Sequence, residues 1–124
     1  MTGGPLSGAP SAIDRGDIVW VNFSTQKGHE QAGRRPALVI SPAEYNRISN
    51  CILVCPITNN TAPWPWKVLL PEGGTVTGAV LVDQIKSIDA EARRVEPAGA
   101  KAGDDLMADI LARLGTLTSG LANG

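Results

Sequence analysis

Between Lys27 and Ser41 the chain reads KGHEQAGRRPALVIS, a polar stretch that turns into an apolar one. His29, Glu30, Gln31, Arg34 and Arg35 bring an imidazole, a carboxylate, an amide and two guanidinium groups together, with Gly28 and Gly33 as flexible points. Ala37–Ile40 then reads as a strand. A loop of this kind at the mouth of a strand is a reactive-site arrangement, because the strand supplies precision and the loop supplies closure. The chemistry it suits is attack on a phosphodiester. Arg35 could hold a negatively charged, pentacoordinate phosphorus with two parallel hydrogen bonds. Thr58, at the end of a later strand, could donate to a non-bridging oxygen if the strand ends converge on one rim. Glu30 and Gln31 could orient a ribose hydroxyl or a base edge. An arginine stays protonated and is a poor proton acceptor. The base is therefore open between Glu30, His29 (the one imidazole, titrating near neutral pH), water and an unusual use of Arg35. The same residues also fit an ordinary solvated loop, since charged surface loops are common.

Other residues have two or three readings each. Trp64 and Trp66 flank Pro65. Their indoles could stack on bases, anchor a protein interface or fill the core. Trp20 reads as core or as the wall of a groove. Gln84 offers both a donor and an acceptor to a base edge, or is an edge-strand amide. Gly73, Gly74 and Gly78 match no phosphate-binding loop and read as turn residues.

The elements that must position these groups follow from the hydrophobic pattern. Asp17–Phe23 alternates with apolar content on both faces, Ile18 and Trp20 on one and Val19, Val21 and Phe23 on the other, as in a central strand or small barrel. Further strands are predicted at Arg35–Ser41, Cys51–Ile57, Trp66–Leu70 and Gly78–Gln84. The last continues after a bend through Ile85–Asp89, and a final short strand covers Val95–Ala98. Ser41-Pro42 predicts a short helix, with serine as its cap and proline at its first position, ending near Asn50. Asp104 to about Ser119 is an amphipathic helix with Leu106, Ile110, Leu114 and Leu117 on one stripe; Asp104 and Asp105 favour its start and Gly120 its stop. Several short strands with a terminal amphipathic helix imply a mainly β, antiparallel small barrel with the helix packed on it.

Composition sets the outer bounds. The 124 residues suffice for one domain: a flexible leader at 1–14, a single domain at 15–120 and a tail at 121–124. The net charge of −1 selects no partner class. From Arg15 to Lys101, however, ten Lys and Arg face eight Asp and Glu, compatible with a local basic groove. Cys51 and Cys55 lie in one predicted strand, about 13 Å apart, beyond the roughly 7 Å a disulfide tolerates. Two cysteines and one histidine are a poor zinc set, so no metal or cofactor is expected. No apolar run spans a membrane and the N-terminus has no signal-peptide pattern, which makes the cytoplasm the expected location.

Taken together, RGDIVWVNF, GHEQAGRRPALVIS, CPIT and LVDQIKSID resemble the MazF/PemK family of bacterial toxins, from Arg15 to about Leu117. The resemblance implies an SH3-like barrel of the CcdB/PemK type with a short helix and a C-terminal helix. It implies a metal-independent endoribonuclease that cuts single-stranded RNA at short sequences through the ribose 2′-OH, leaving a 2′,3′-cyclic phosphate and a 5′-OH and arresting translation and growth. It sets the catalytic roles on Arg35 and Thr58, with the loop residues Glu30 and Gln31 and the strand-end Gln84 beside them; Lys27, His29, Arg34 and Trp20 are expected to join Gln31 and Gln84 as RNA contacts. It further implies a homodimer whose RNA groove is blocked by a cognate, MazE-like antitoxin. His29 departs from the serine common in such proteins, which argues against an essential histidine. The alternative is a gyrase poison of the CcdB type, which shares the barrel but has no need of an Arg35/Thr58 pair.

Overall fold

The computed structural model describes residues 12–23 and 33–119. Strand β1 (Asp17–Asn22) pairs antiparallel with β2 (Arg34–Val39), which pairs with β3 (Cys51–Thr58). Helix α1 (Ala43–Ser49) connects β2 to β3. After β3 come two three-residue strands, β4 (Lys67–Leu69) and β5 (Ala79–Leu81), then β6 (Lys86–Asp89), β7 (Glu96–Lys101) and the long helix α2 (Asp104–Ser119). The order across the sheet is β4-β5-β3-β2-β1-β7, with β6 also paired to β3. The barrel expected from the sequence does not close among the described strands. β4 and β7 are edges, and α2 packs Met107 and Ile110 against Ile18, Val68 and Leu70 in one apolar cluster. The mainly β class with two helices holds. No helix among the described residues is long and apolar enough to cross a membrane.

The alternation of β1 does what its pattern predicts. Ile18 joins Leu38, Ile57 and the α2 side chains in that cluster. Val19 and Val21 join Ala37, Val39, Ile52 and Val54 in a second cluster on the other face. Two buried faces explain why β1 and β3 read as nearly continuous apolar runs.

Several boundaries differ from expectation for identifiable reasons. Gly78–Gln84 is not one strand: after Leu81 the chain makes a 3-10 turn over Val82–Gln84 and resumes as β6. The cause lies across the sheet. Ile40 donates its backbone N–H to Leu53 O, so the odd residues of β3 address β2 and the even ones address β5 and β6. Pro56 therefore faces the second edge without an N–H to offer. The ladder there stops at Val54–Lys86 and resumes only at Ile57–Val80. The turn bows across the gap, with Val82 fully buried.

Helix α1 is capped differently from the prediction. Pro42 occupies the cap position and Ser41 makes no cap bond. Instead Asp14 Oδ1 accepts the Ala43 N–H at 2.9 Å, so the helix start is satisfied from a remote part of the chain. Ile13 is buried at 3% exposure, and the packed unit thus reaches back before residue 15. Asn50 ends the helix in the left-handed region at φ 62°. The final strand lies later than Val95–Ala98, at Glu96–Lys101. The apolar stripe of α2 holds through Leu114, but Leu117 is 40% exposed, beyond the sheet. The expected stop at Gly120 lies outside the described residues.

Candidate active site

β2 and β3 pair through Ala37–Pro56, Leu38–Cys55 and Val39–Val54. Beyond Ala37 and Pro56 they part company: the start of β2 stays with β1, and the end of β3 pairs with β5. Arg35 and Thr58 each lie two residues past the last β2–β3 pair, Arg35 paired with Val21 of β1 and Thr58 with Ala79 of β5. The two residues expected to act together thus flank the mouth where the strands separate.

Thr58 is held from two sides. Its Oγ1 accepts the Asn60 N–H at 3.1 Å, which leaves the hydroxyl proton to donate outward. Behind it, Gly78 lies at φ +117°, and a Cβ at that position would sit 2.3 Å from Thr58 O. Only glycine permits this approach. Leu70 N–H donates to Gly78 O and fixes the same turn.

Adjacent arginines have different surroundings. Arg34 donates to Asn22 Oδ1 at 2.9 Å, to Arg94 O at 3.0 Å and to Glu96 Oε1 at 2.6 Å. It ties β1, β2 and the approach to β7 together, and its charge is balanced by Glu96. This occupies donors that the sequence reading assigned to RNA. Arg35 is exposed and, among the described residues, donates no hydrogen bond.

Two open hollows lie along the end of β3, Arg35 bordering one and Thr58 the other. The first, about 440 Å³, is bordered by Trp20, Arg34, Arg35, Pro36, Asn59 and Thr77. The second, about 370 Å³, is bordered by Thr58, Asn60, Trp64, Lys67, Asp83 and Gln84. Trp20, 37% exposed, is a groove wall rather than core. Gln84 meets Thr58 in the second hollow from the 3-10 turn, not from a strand end. Lys27, His29, Glu30 and Gln31 lie outside the described residues. Asn59, Asn60, Lys67 and Asp83 were not singled out as contacts from sequence; a polar TNN run directly after an apolar strand was the available signal.

The segment after β3 is bolted down. Trp64 Nε1 donates to Asp83 Oδ2 at 3.0 Å, Trp66 Nε1 donates to Thr116 Oγ1 at 2.9 Å, and Arg113 Nη1 donates to Pro65 O. The two indole rings meet at 5.5 Å, tilted by 59°. Trp66 therefore belongs to the contact with α2, whereas Trp64, 48% exposed, faces solvent. Cys51 and Cys55 are both free. Burial, with a smaller contribution from Asp83, pushes the Cys55 thiol up to about 12, which keeps it neutral and unreactive. Among the described residues no group of three His, Cys, Asp or Glu is placed to hold a metal ion.

Residues 14–118 match the family described as PemK-like, MazF-like toxin of type II toxin-antitoxin system. The endoribonuclease toxin MazF of Escherichia coli (strain K12) is 42% identical over 93 residues, covering 75% of this chain and 83% of that protein. The crystal structure of MazF (Form-I) from Deinococcus radiodurans superposes with a TM-score of 0.77 at 44% identity, covering 87% of this chain and 97% of that one. The MazE-MazF (Form-II) structure from the same organism gives a TM-score of 0.75 at 40% identity, over 86% of this chain and 94% of that one.

Proposed function

The chain belongs to the PemK-like, MazF-like family of type II toxin-antitoxin toxins, and on that footing we propose that it is a sequence-specific endoribonuclease acting on single-stranded RNA in the cytoplasm. The observation that supports the reading is that Arg35 and Thr58 each lie two residues past the last β2–β3 pair, where the two strands take different partners. One offers an exposed guanidinium and the other a hydroxyl that accepts the Asn60 N–H and keeps its own proton available to donate.

In the proposed reaction the ribose 2′-oxygen attacks the adjacent phosphorus and the P–O5′ bond breaks. The 2′-OH proton passes to Glu30, and the departing 5′-oxygen is protonated from solvent. The products are a 2′,3′-cyclic phosphate and a 5′-OH. Charge grows on the non-bridging oxygens during attack. Arg35 meets it with two charge-assisted hydrogen bonds and Thr58 with one. Gly78 allows the backbone behind Thr58 to hold that hydroxyl in place. Neither residue needs to transfer a proton, which suits an arginine, and the scheme requires no metal ion. Lys27, His29, Gln31, Gln84 and Trp20 are the proposed RNA contacts, and Arg34, engaged by Asn22, Arg94 and Glu96, is proposed to hold the strands beside them. The working form is proposed to be a homodimer whose groove a MazE-like antitoxin covers; the family description and the MazE-MazF complex of a 40% identical protein support the antitoxin as partner.

The reading is tested by incubating the purified protein with a long single-stranded RNA in EDTA and mapping the cut ends. Cuts at one recurring short sequence, with 5′-OH ends, are expected. An absolute metal requirement, or 5′-phosphate ends, contradicts the 2′-OH mechanism.

A further inference from the structure

The second hollow contains a feature that phosphate chemistry does not use: a carboxylate in a site for a polyanion. Asp83 is exposed at the start of the 3-10 turn, beside Thr58. Its Oδ2 accepts the Trp64 indole N–H at 3.0 Å, which fixes the carboxylate, and Oδ1 accepts no hydrogen bond among the described residues. Trp64 presents a half-exposed ring suited to stacking on a base. Lys67 borders the same space; one of its ammonium protons goes to Ala62 O, and two remain for a backbone phosphate. A cation, an aromatic face and an acceptor around one hollow form a nucleotide-shaped set.

We infer that Asp83 is a specificity-determining residue, selecting a nucleobase with an exocyclic amino group over uracil in the hollow beside Thr58. The inference rests on the ribonuclease reading above. An ionised carboxylate only accepts hydrogen bonds. Cytosine, adenine and guanine each offer it an amino group. Uracil offers a single N–H set between two carbonyl oxygens, and the carboxylate repels both. Gln84, alongside, carries a donor and an acceptor on an amide that can turn either way, so it can satisfy any base and discriminates little. The acceptor-only partner is what divides the bases into two classes.

The test uses a pool of randomised single-stranded RNA, cut by the parent and by Asp83→Asn, with the cut sites sequenced. The parent is expected to deplete uracil at one position close to the cut. Asp83→Asn, which can also donate, should raise relative cleavage of uracil there by roughly tenfold or more, the scale of one good base contact, and leave other positions as they were. Trp64→Phe, which keeps a ring but frees the carboxylate, should relax the same position less. Should Asp83→Asn fail to fold, the parent alone decides. On a single-site substrate, uracil in place of the selected base should slow cutting by a similar factor. An active Asp83→Asn with the parent's profile at every position overturns the inference while leaving the ribonuclease reading intact. A parent that cuts no RNA overturns both.

Discussion

The two ends of β2 are both polar, and they are built on opposite principles. At the far end, Ser41 and Asn46 are 2% and 0% exposed, and every group has a partner. Ser41 Oγ donates to Asn46 Oδ1 at 2.5 Å and accepts the Leu53 N–H, while Asn46 Nδ2 donates to Ile13 O and Ser41 O. At the near end, Arg35 donates no hydrogen bond among the described residues, and Thr58 accepts the Asn60 N–H and keeps its hydroxyl proton. A closed network stabilises, because a buried polar group left unpaired is costly. An open one contributes little to folding and is available for chemistry. Substitutions at the two ends should therefore separate into different observables.

The largest effect is expected at the open end. Arg35→Ala should lower RNA cleavage by on the order of 100-fold or more, as loss of one transition-state donor does elsewhere, with the melting temperature unchanged. Thr58→Ala should lower cleavage by at least about tenfold, for the weaker of the two donors, while Thr58→Ser restores most of it because the hydroxyl and its bond from Asn60 N–H survive. At the closed end Asn46→Ala should reduce unfolding free energy by roughly 1–3 kcal/mol, the cost of orphaning buried partners. Cleavage per folded molecule should stay near that of the parent. Equal losses of stability and activity at both ends would erase the distinction.

Two smaller effects sharpen it. The Asp14 carboxyl is held below the usual carboxylate range, first by the Arg15 N–H and then by the Ala43 N–H. Its folded value lies below the unfolded one, so the stability it confers is present above the ordinary carboxylate range, at about pH 4, and is lost as pH falls through the folded value. Melting temperatures of the parent and of Asp14→Asn should accordingly converge as pH drops below about 4. His29→Ala should retain most of the cleavage rate. A loss as deep as that of Arg35→Ala would instead identify the histidine as the base.

The open end was more legible in the sequence than the closed one. Arg35, Thr58 and Gln84 could be named because a polar loop met an apolar strand and because the motifs resemble a known family. The alternation of β1 and the stripe of α2 through Leu114 followed from period alone. What stayed hidden depended on contacts between distant segments. Pro56 interrupts a ladder whose partner lies about thirty residues on, so the 3-10 turn carrying Gln84 could not be read locally. The Asp14 cap on α1 is likewise remote. Arg34 and Arg35 look alike in the chain, yet successive strand residues face opposite ways. Only the register to Asn22 and the reach to Glu96 assign the first to structure, while the second donates no hydrogen bond among the described residues. Asp83 falls inside the predicted Gly78–Gln84 strand, and nothing local indicates that Trp64 will hold its carboxylate.

The most direct measurement is a side-by-side rate of the parent and Arg35→Ala on one mapped RNA site in EDTA, with melting temperatures taken on the same samples. Equal melting temperatures, a parent that leaves a 5′-OH and a 2′,3′-cyclic phosphate, and a variant slower by on the order of 100-fold are the expected results. A variant that cuts as fast as the parent would show that the Arg35 guanidinium is not where the phosphate is held.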